Sequence, residues 1–217
     1  MPEVIRSVAG KCEAEKVIEK SRFIAYSAHV TSEEEAREFV GEIRAKRRDA
    51  THNCFGFVAD KTGALQRFSD DGEPQGTAGM PILDVIKNKG LFETAVVVTR
   101  YFGGIKLGAG GLVRAYTSCT AEVLERAEIC LWQMCAEVEI VVDYPQTDGV
   151  MKFLSEHFCV RKGERYAEKV TFTVLVKSSE EEAFRSLLTD YLFGRVALEK
   201  KGEYFYPFPE RSPFPSI

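Results

Sequence analysis

The sequence predicts an α+β protein built as two domains, and two observations carry that reading. Up to about residue 132, short β-branched or aromatic runs alternate with helical patterns and are separated by glycine-containing polar loops. From residue 133 the order becomes strand, helix, strand, strand, helix, strand, the βαββαβ plan of a ferredoxin-like domain. A chain of 217 residues is long enough to bury two modest cores. The predicted divisions are therefore 1–132, 133–206 and a Pro-rich tail at 207–217.

Residues 11–19 and 22–30 read as two strands joined by a turn at Glu19 to Ser21. Ser32 then opens a helix. Glu33, Glu34 and Glu35 suit the positive end of its dipole, and Arg44, Lys46, Arg47 and Arg48 load the other end. Ala36, Phe39, Val40 and Ile43 form its apolar stripe. The basic end could meet phosphate, but complementing the dipole explains it without a ligand.

His52 to Ala59 reads as a strand, paired with Leu65 to Phe68 through a turn at Asp60 to Gly63. His52 and Asn53, at its start, are polar candidates for a site. The loop from Ser69 to Gly79 then places Asp70, Asp71 and Glu73 close together. Such a cluster can hold a divalent cation, perform acid–base work, or be a solvated turn. It does not match an EF-hand loop. The helix after it has Pro81 near its first turn, Ile82, Val85 and Ile86 inward, and a stop at Asn88-Lys89-Gly90.

Residues 93–116 are the densest stretch. Ala95 to Thr99 is a β-branched run of the kind buried on both faces. Gly103, Gly104, Gly108, Gly110 and Gly111 follow, and Leu112, Tyr116, Cys119 and Val123 then mark one face of a helix. Strand, glycine loop and helix together aim backbone N–H groups at an anion. Arg100, Lys106 and Arg114 lie in or beside the loop, with Tyr101 and Phe102 at its mouth. No known phosphate fingerprint matches, and tight packing is the plain alternative for the glycines.

In the second domain, Cys130 to Cys135 reads as a connector holding Trp132. Val138, Ile140 and Val142 alternate with Glu137 and Glu139 as a strand, and Thr147 opens a helix with Val150, Phe153, Leu154 and His157 on one side. Strands follow at Val160 to Arg165 and Val170 to Val176. Ser178 and Glu181 make a capping box for a helix burying Phe184, Leu187, Leu188 and Tyr191. A last strand spans Arg195 to Tyr206, and the proline-rich tail is expected to lie extended.

The net charge of −4 excludes a general polyanion binder. Lys and Arg number 18 against 19 acids up to residue 133, and 11 against 14 beyond it, so any RNA contact must use a local patch. Six cysteines without a C-x-x-C pattern read as reduced, mostly buried thiols. With no signal-peptide or membrane-span pattern, the chain is expected to be soluble and cytoplasmic, with no membrane partner.

The stretch from Gly79 through Arg100-Tyr101-Phe102-Gly103-Gly104-x-x-Leu107-Gly108 resembles the signature of the IMPACT family, in its YigZ-like bacterial branch. Ser21-Arg22-Phe23, His52-Asn53-Cys54, Ser69-Asp70-Asp71-Gly72-Glu73-Pro74 and Thr77-Ala78-Gly79 resemble its other motifs in the same order. The resemblance covers roughly residues 15–130. It implies an N-terminal domain of the left-handed βαβ type found in domain IV of elongation factor G. It also implies a ferredoxin-like C-terminal domain similar to that factor's domain V. Eukaryotic IMPACT proteins are translational regulators that compete for an activator of a starvation-response kinase and carry an additional RWD domain. About ten residues precede the first expected strand here, so that kinase role is not carried over. For bacterial members the resemblance points to RNA, the ribosome or a protein of the translation machinery as partner.

Three functional readings follow. The first is a non-enzymatic regulator that needs no cofactor and binds RNA or the ribosome in a groove of the N-terminal domain. That groove would use His52, Asn53, Arg100, Tyr101, Phe102, Gly103, Gly104, Lys106, Gly108, Gly110, Gly111 and Arg114. The second is an enzyme for a phosphorylated small molecule, with Leu107 to Leu112 cradling phosphate and magnesium held by Asp70, Asp71 or Glu73. The third is a protein-recognition module anchored at Tyr101 and Phe102. The first reading expects His52, Asp70, Glu73, Arg100 and Arg114 to converge on one exposed groove.

Overall fold

The computed structural model describes residues 4–210, and its chain divides between Leu131 and Trp132 into two units. The first unit runs β1 (Val4–Val8), β2 (Cys12–Ile18), β3 (Ser21–His29), α1 (Glu33–Lys46), β4 (His52–Val58), β5 (Gln66–Ser69), α2 (Gly79–Asn88), β6 (Thr94–Tyr101) and α3 (Gly108–Arg126). The chain passes the division within β7 (Ile129–Val142).

Strands β2 to β6 form an antiparallel sheet in the order β2-β3-β6-β4-β5. β6 sits at its centre because both of its faces are apolar. Ala95 and Val97 join one core, Val96 and Val98 the other. Helix α1 covers the first face, bringing Ala36, Phe39, Val40 and Ile43 against Tyr26, Phe57 and Val97. Helices α2 and α3 cover the second, bringing Ile82, Ile86, Leu112, Tyr116 and Val123 to Phe23, Cys54 and Val98. β3 and β4 both pair antiparallel with β6, so α1 crosses the central strand to join them.

The second unit continues with α4 (Thr147–Glu156), β8 (Val160–Tyr166), β9 (Val170–Lys177), α5 (Glu181–Tyr191) and β10 (Ala197–Pro209). β9 and β10 both pair with β7, and β8 lies outside β9. The strands joined by α4 are thus separated by β9, which is the split βαβ arrangement. Val138, Ile140, Val142, Phe172 and Val174 pack on Val150, Phe153, Leu154, Phe184 and Leu188. The fold is α+β, with two sheets and five α-helices among the described residues.

Several expected elements are corrected. β1 precedes the first expected strand, and Ala9 N–H bonds the carbonyl of Glu128 at 2.8 Å. Cys130 to Cys135 is not a connector but part of β7. Between the buried Cys130 and Cys135 its residues are mostly half-buried, which blurs the two-residue period. The capping box at Ser178 does not form. A 3-10 turn occupies Ser178–Glu180, α5 has no side-chain cap, and Glu181 instead takes Arg185 and Lys200 at 3.1 and 2.9 Å. Leu187 and Tyr191 are exposed rather than buried. β10 extends through residues 207–209 of the expected tail, where Phe208 packs with Cys135 and Leu175. Residues 211–217 of that tail lie outside the described residues.

Candidate functional site

The acidic loop turns inward. Asp70 accepts hydrogen bonds from the N–H groups of Gly76, Ala78 and Gly79 at 2.8, 3.0 and 2.8 Å, closing the amino end of α2. Asp71 takes the N–H of Asn53 at 2.7 Å and the Arg44 guanidinium at 2.6 Å. Glu73 takes Arg100 at 2.7 Å and the Tyr116 hydroxyl at 2.8 Å, both on one oxygen. Each carboxylate thus has its own donors, and the three do not face a common centre. Among the described residues no group of three or more His, Cys, Asp or Glu side chains is placed to hold a metal ion. The loop is therefore a turn whose carboxylates have internal partners.

Glu73 and Arg100 are only 8% and 5% exposed, so this ion pair is internal. Arg100 lies over the rings of Phe23 and Phe102, 5.4 and 5.5 Å from their centroids. Its Nη2 donates to Ser21 Oγ at 3.3 Å, and the same oxygen accepts the N–H of Gly103 at 3.2 Å. On the other side, His52 Nδ1 donates to the Asp71 carbonyl at 2.8 Å, which puts a proton on that nitrogen and turns Nε2 toward Glu73, 3.9 Å away. Cys54 contacts the Asp70 carbonyl and the Tyr116 hydroxyl at 2.9 and 3.4 Å. Burial pushes the Cys54 thiol up to about 12 and raises Tyr116 well beyond the usual phenol range. Neither is an activated nucleophile. Asn53 is likewise internal, its side chain accepting from Thr99 Oγ1 at 2.7 Å. Arg100 is thus one half of a buried pair with Glu73.

Beyond Gly103 the loop turns outward. Gly103 itself is a packing glycine, because a Cβ there would fall 1.9 Å from the Lys20 carbonyl oxygen. That carbonyl belongs to the β2–β3 turn, where Glu19 and Lys20 both hold positive φ, 45° and 62°. Gly104 and Gly108 have φ of 87° and 70°, a region open to glycine at little strain. Gly104, Lys106, Gly108, Gly110 and Arg114 are exposed, Gly111 is half-buried, and Phe102 is 48% exposed. Tyr101 is half-buried and donates its hydroxyl to Asp49 at 3.0 Å, so it is the less available of the two aromatics.

An open cleft of about 530 Å³ lies between this loop, the β2–β3 turn and the first three turns of α3. Ile18, Ile105, Leu107 and Ala115 give it apolar walls, while Lys106, Arg114 and Glu19 supply its charges. Helix α3 begins here without a side-chain cap and without an acid in its first turn. An Nη atom of Arg114 lies 3.6 Å from the position a Cβ on Gly110 would take, which brings a cation back over that first turn. The expected residues therefore fall into two groups. His52, Asn53, Asp71, Glu73 and Arg100 form an internal polar network, and Lys106 and Arg114 share the cleft. Sequence reasoning missed Ser21, which joins that network to Gly103, and Ile18, Glu19 and Ile105, which complete the cleft. Ile18 and Glu19 were legible as a strand end and a turn but not as cleft residues, because only the pairing of β2 with β3 brings their turn beside Gly103.

Fold and site together define a two-domain α+β protein whose first unit carries a cleft with a basic rim. The comparisons narrow that class. Residues 19–124 match the Impact N-terminal domain, and residues 140–195 match a domain of unknown function (DUF1949). The chain is 41% identical over 194 residues to the IMPACT family member YvyE of Bacillus subtilis, covering 89% of each. It is 36% identical over 185 residues to the IMPACT family member YigZ of Escherichia coli, covering 83% of this chain and 90% of that one. A crystal structure described as that of a hypothetical protein superposes with a TM-score of 0.59 at 32% identity, over 91% of this chain and 97% of the other. The chain belongs to the IMPACT family. No helix among the described residues is long and apolar enough to cross a membrane.

Proposed function

We propose that this protein is a non-enzymatic regulator of translation or of a stress response that binds RNA or the ribosome through the cleft of its first unit. One observation carries the reading: the amino end of α3 gathers positive charge where helices ordinarily gather acids. Lys106 precedes it, Arg114 folds over it, and its own first turn holds neither a carboxylate nor a capping side chain. A phosphate would offset both cations and the helix dipole. Membership of the family supports a regulatory role, and the inward-facing acidic loop does not favour the enzyme reading. The test is binding of purified ribosomal subunits and structured RNA by wild type and by Lys106→Ala/Arg114→Ala across a salt series. The variant should bind more weakly, and its salt slope should fall by about two phosphate contacts. Identical curves for the two proteins would remove the cleft from the reading.

A second reading, protein recognition, is favoured by the exposure of Phe102, Ile105 and Val113 around the same loop. Capture of the same partner before and after nuclease treatment would support it over RNA.

A further inference from the structure

The lining of the cleft says more about its occupant than the cations alone do. Duplex RNA is recognised by shape across a broad face, through phosphates and 2′-hydroxyls spread over more than one groove. This cleft is concave and local. Its volume of about 530 Å³ falls within the range of small-molecule sites. Its walls are the apolar Ile18, Ile105, Leu107 and Ala115, which suit the flat face of a base and have no use for a sugar–phosphate backbone. Its charge is divided as well. Lys106 and Arg114 come from the loop and α3, whereas Glu19 comes from the β2–β3 turn. Among the described residues no ion pair joins Lys106, Arg114 or Glu19 to another side chain, so all remain available to a ligand. A carboxylate repels a run of phosphates but accepts hydrogen bonds from hydroxyl and amino groups.

We infer that the cleft takes one unpaired ribonucleotide of an RNA chain, with phosphate at Lys106 and Arg114, the base against the apolar walls, and a ribose hydroxyl donating to Glu19. The inference rests on the RNA reading and specifies which RNA: single-stranded segments, loops or bulges whose bases are free to leave the stack. Glu19 becomes the residue that separates RNA from DNA, because the 2′-hydroxyl is the donor that DNA lacks. Phe102, three positions before Ile105 on the same loop, supplies an exposed ring for the neighbouring base.

The experiment compares a dye-labelled single-stranded RNA dodecamer, the DNA of the same sequence and the RNA duplex, by fluorescence anisotropy on the full chain. Wild type should prefer the single-stranded RNA to the other two by about tenfold, one charge-assisted hydrogen bond. Glu19→Gly accepts the positive φ at this position without strain, so folding is retained. It should bind RNA and DNA alike with an unchanged salt slope, whereas Lys106→Ala/Arg114→Ala should lose affinity for both. As a second readout, uridine 5′-monophosphate should shift the amide resonances of Gly108 to Gly111 in wild type. Equal wild-type binding of RNA and DNA, or tighter binding of the duplex, would overturn the inference while leaving RNA binding intact, provided affinity still depends on Lys106 and Arg114. A poly-glutamate peptide that displaces the RNA would overturn it in favour of an acidic protein partner. Absence of that dependence would remove both readings together.

Discussion

Among the described residues three α-helices begin in the first unit, and their amino ends are built on opposite principles. At α1, Ser32 Oγ accepts the N–H of Glu35 at 3.2 Å, while Glu35 reaches back to the N–H and hydroxyl of Thr31 at 2.7 and 2.9 Å. Glu33 and Glu34 add their charge to the same turn. At α2 no neighbouring side chain caps the helix, but Asp70 arrives from the preceding loop and takes three backbone donors. At α3 nothing of either kind is present: its first turn is Gly-Ala-Gly-Gly, Lys106 precedes it and Arg114 reaches back over it from the second turn. Two ends are closed by the chain itself; the third is left open to solvent beside a cleft. The proposed binding site rests on that one departure, at an exposed glycine loop.

The comparison is tested most severely at the network that backs the open end. Glu73→Ala would leave the Arg100 guanidinium buried without its carboxylate, a loss of about 3–5 kcal/mol. Urea denaturation should show this, and Arg100→Ala added to it should cost much less than the sum of the two single changes. Asp70→Ala opens the amino end of α2 and should remove about 2 kcal/mol of stability. An unchanged denaturation midpoint would show that its three short contacts have no net worth. Gly110→Glu closes α3 instead. Space is available there, since a Cβ at Gly110 meets only the Arg114 guanidinium. Replacing glycine within a helix, with an acid near the positive end of the dipole, should raise stability by about 1 kcal/mol while abolishing RNA binding. A variant that is more stable and still binds would contradict the reason given for the open end.

How much of this could be read from the sequence depends on whether the signal was local. The stripe Ala36, Phe39, Val40, Ile43 and the apolar run at Ala95 to Thr99 were legible because burial writes a period directly into the chain. β1 was not, because five residues acquire strand identity only by pairing with β7, which lies more than a hundred positions away. Arg100 shows the same limit in the candidate site. Beside a glycine loop it looked like a phosphate ligand, yet its partner Glu73 stands 27 positions earlier and the pair closes inside the core. The motif residues that carried the resemblance include many internal ones: Ser21, Asn53, Cys54, Glu73 and Arg100 are all buried. A dense cluster of polar motifs therefore reported the scaffold of a site more directly than its surface. Lys106 and Arg114 were legible as cations of the glycine loop, while Glu19 was legible only as part of a turn.

The smallest expected effect separates α1 from α3 by pH. The Thr31 N–H is the main influence holding the Glu35 carboxyl below its ordinary value of 4.5, with the Thr31 hydroxyl assisting and burial opposing. A carboxyl whose folded pKa is depressed adds stability that is fully present above its unfolded pKa and disappears as pH falls through the folded one. Glu35 is largely exposed, so solvent screening limits its contribution to about 0.5 kcal/mol or less. Glu35→Gln should accordingly destabilise the protein slightly at neutral pH, and wild type and variant should converge as pH drops below 4.5. Thermal melts of the two proteins from neutral to acidic pH measure that convergence. RNA binding at neutral pH should be the same for both, because the acid that closes α1 plays no part at the open end of α3. A Glu35→Gln variant with altered RNA affinity would mean that the two helix ends are coupled through the sheet between them, and the contrast drawn here would have to be replaced by one of cooperation.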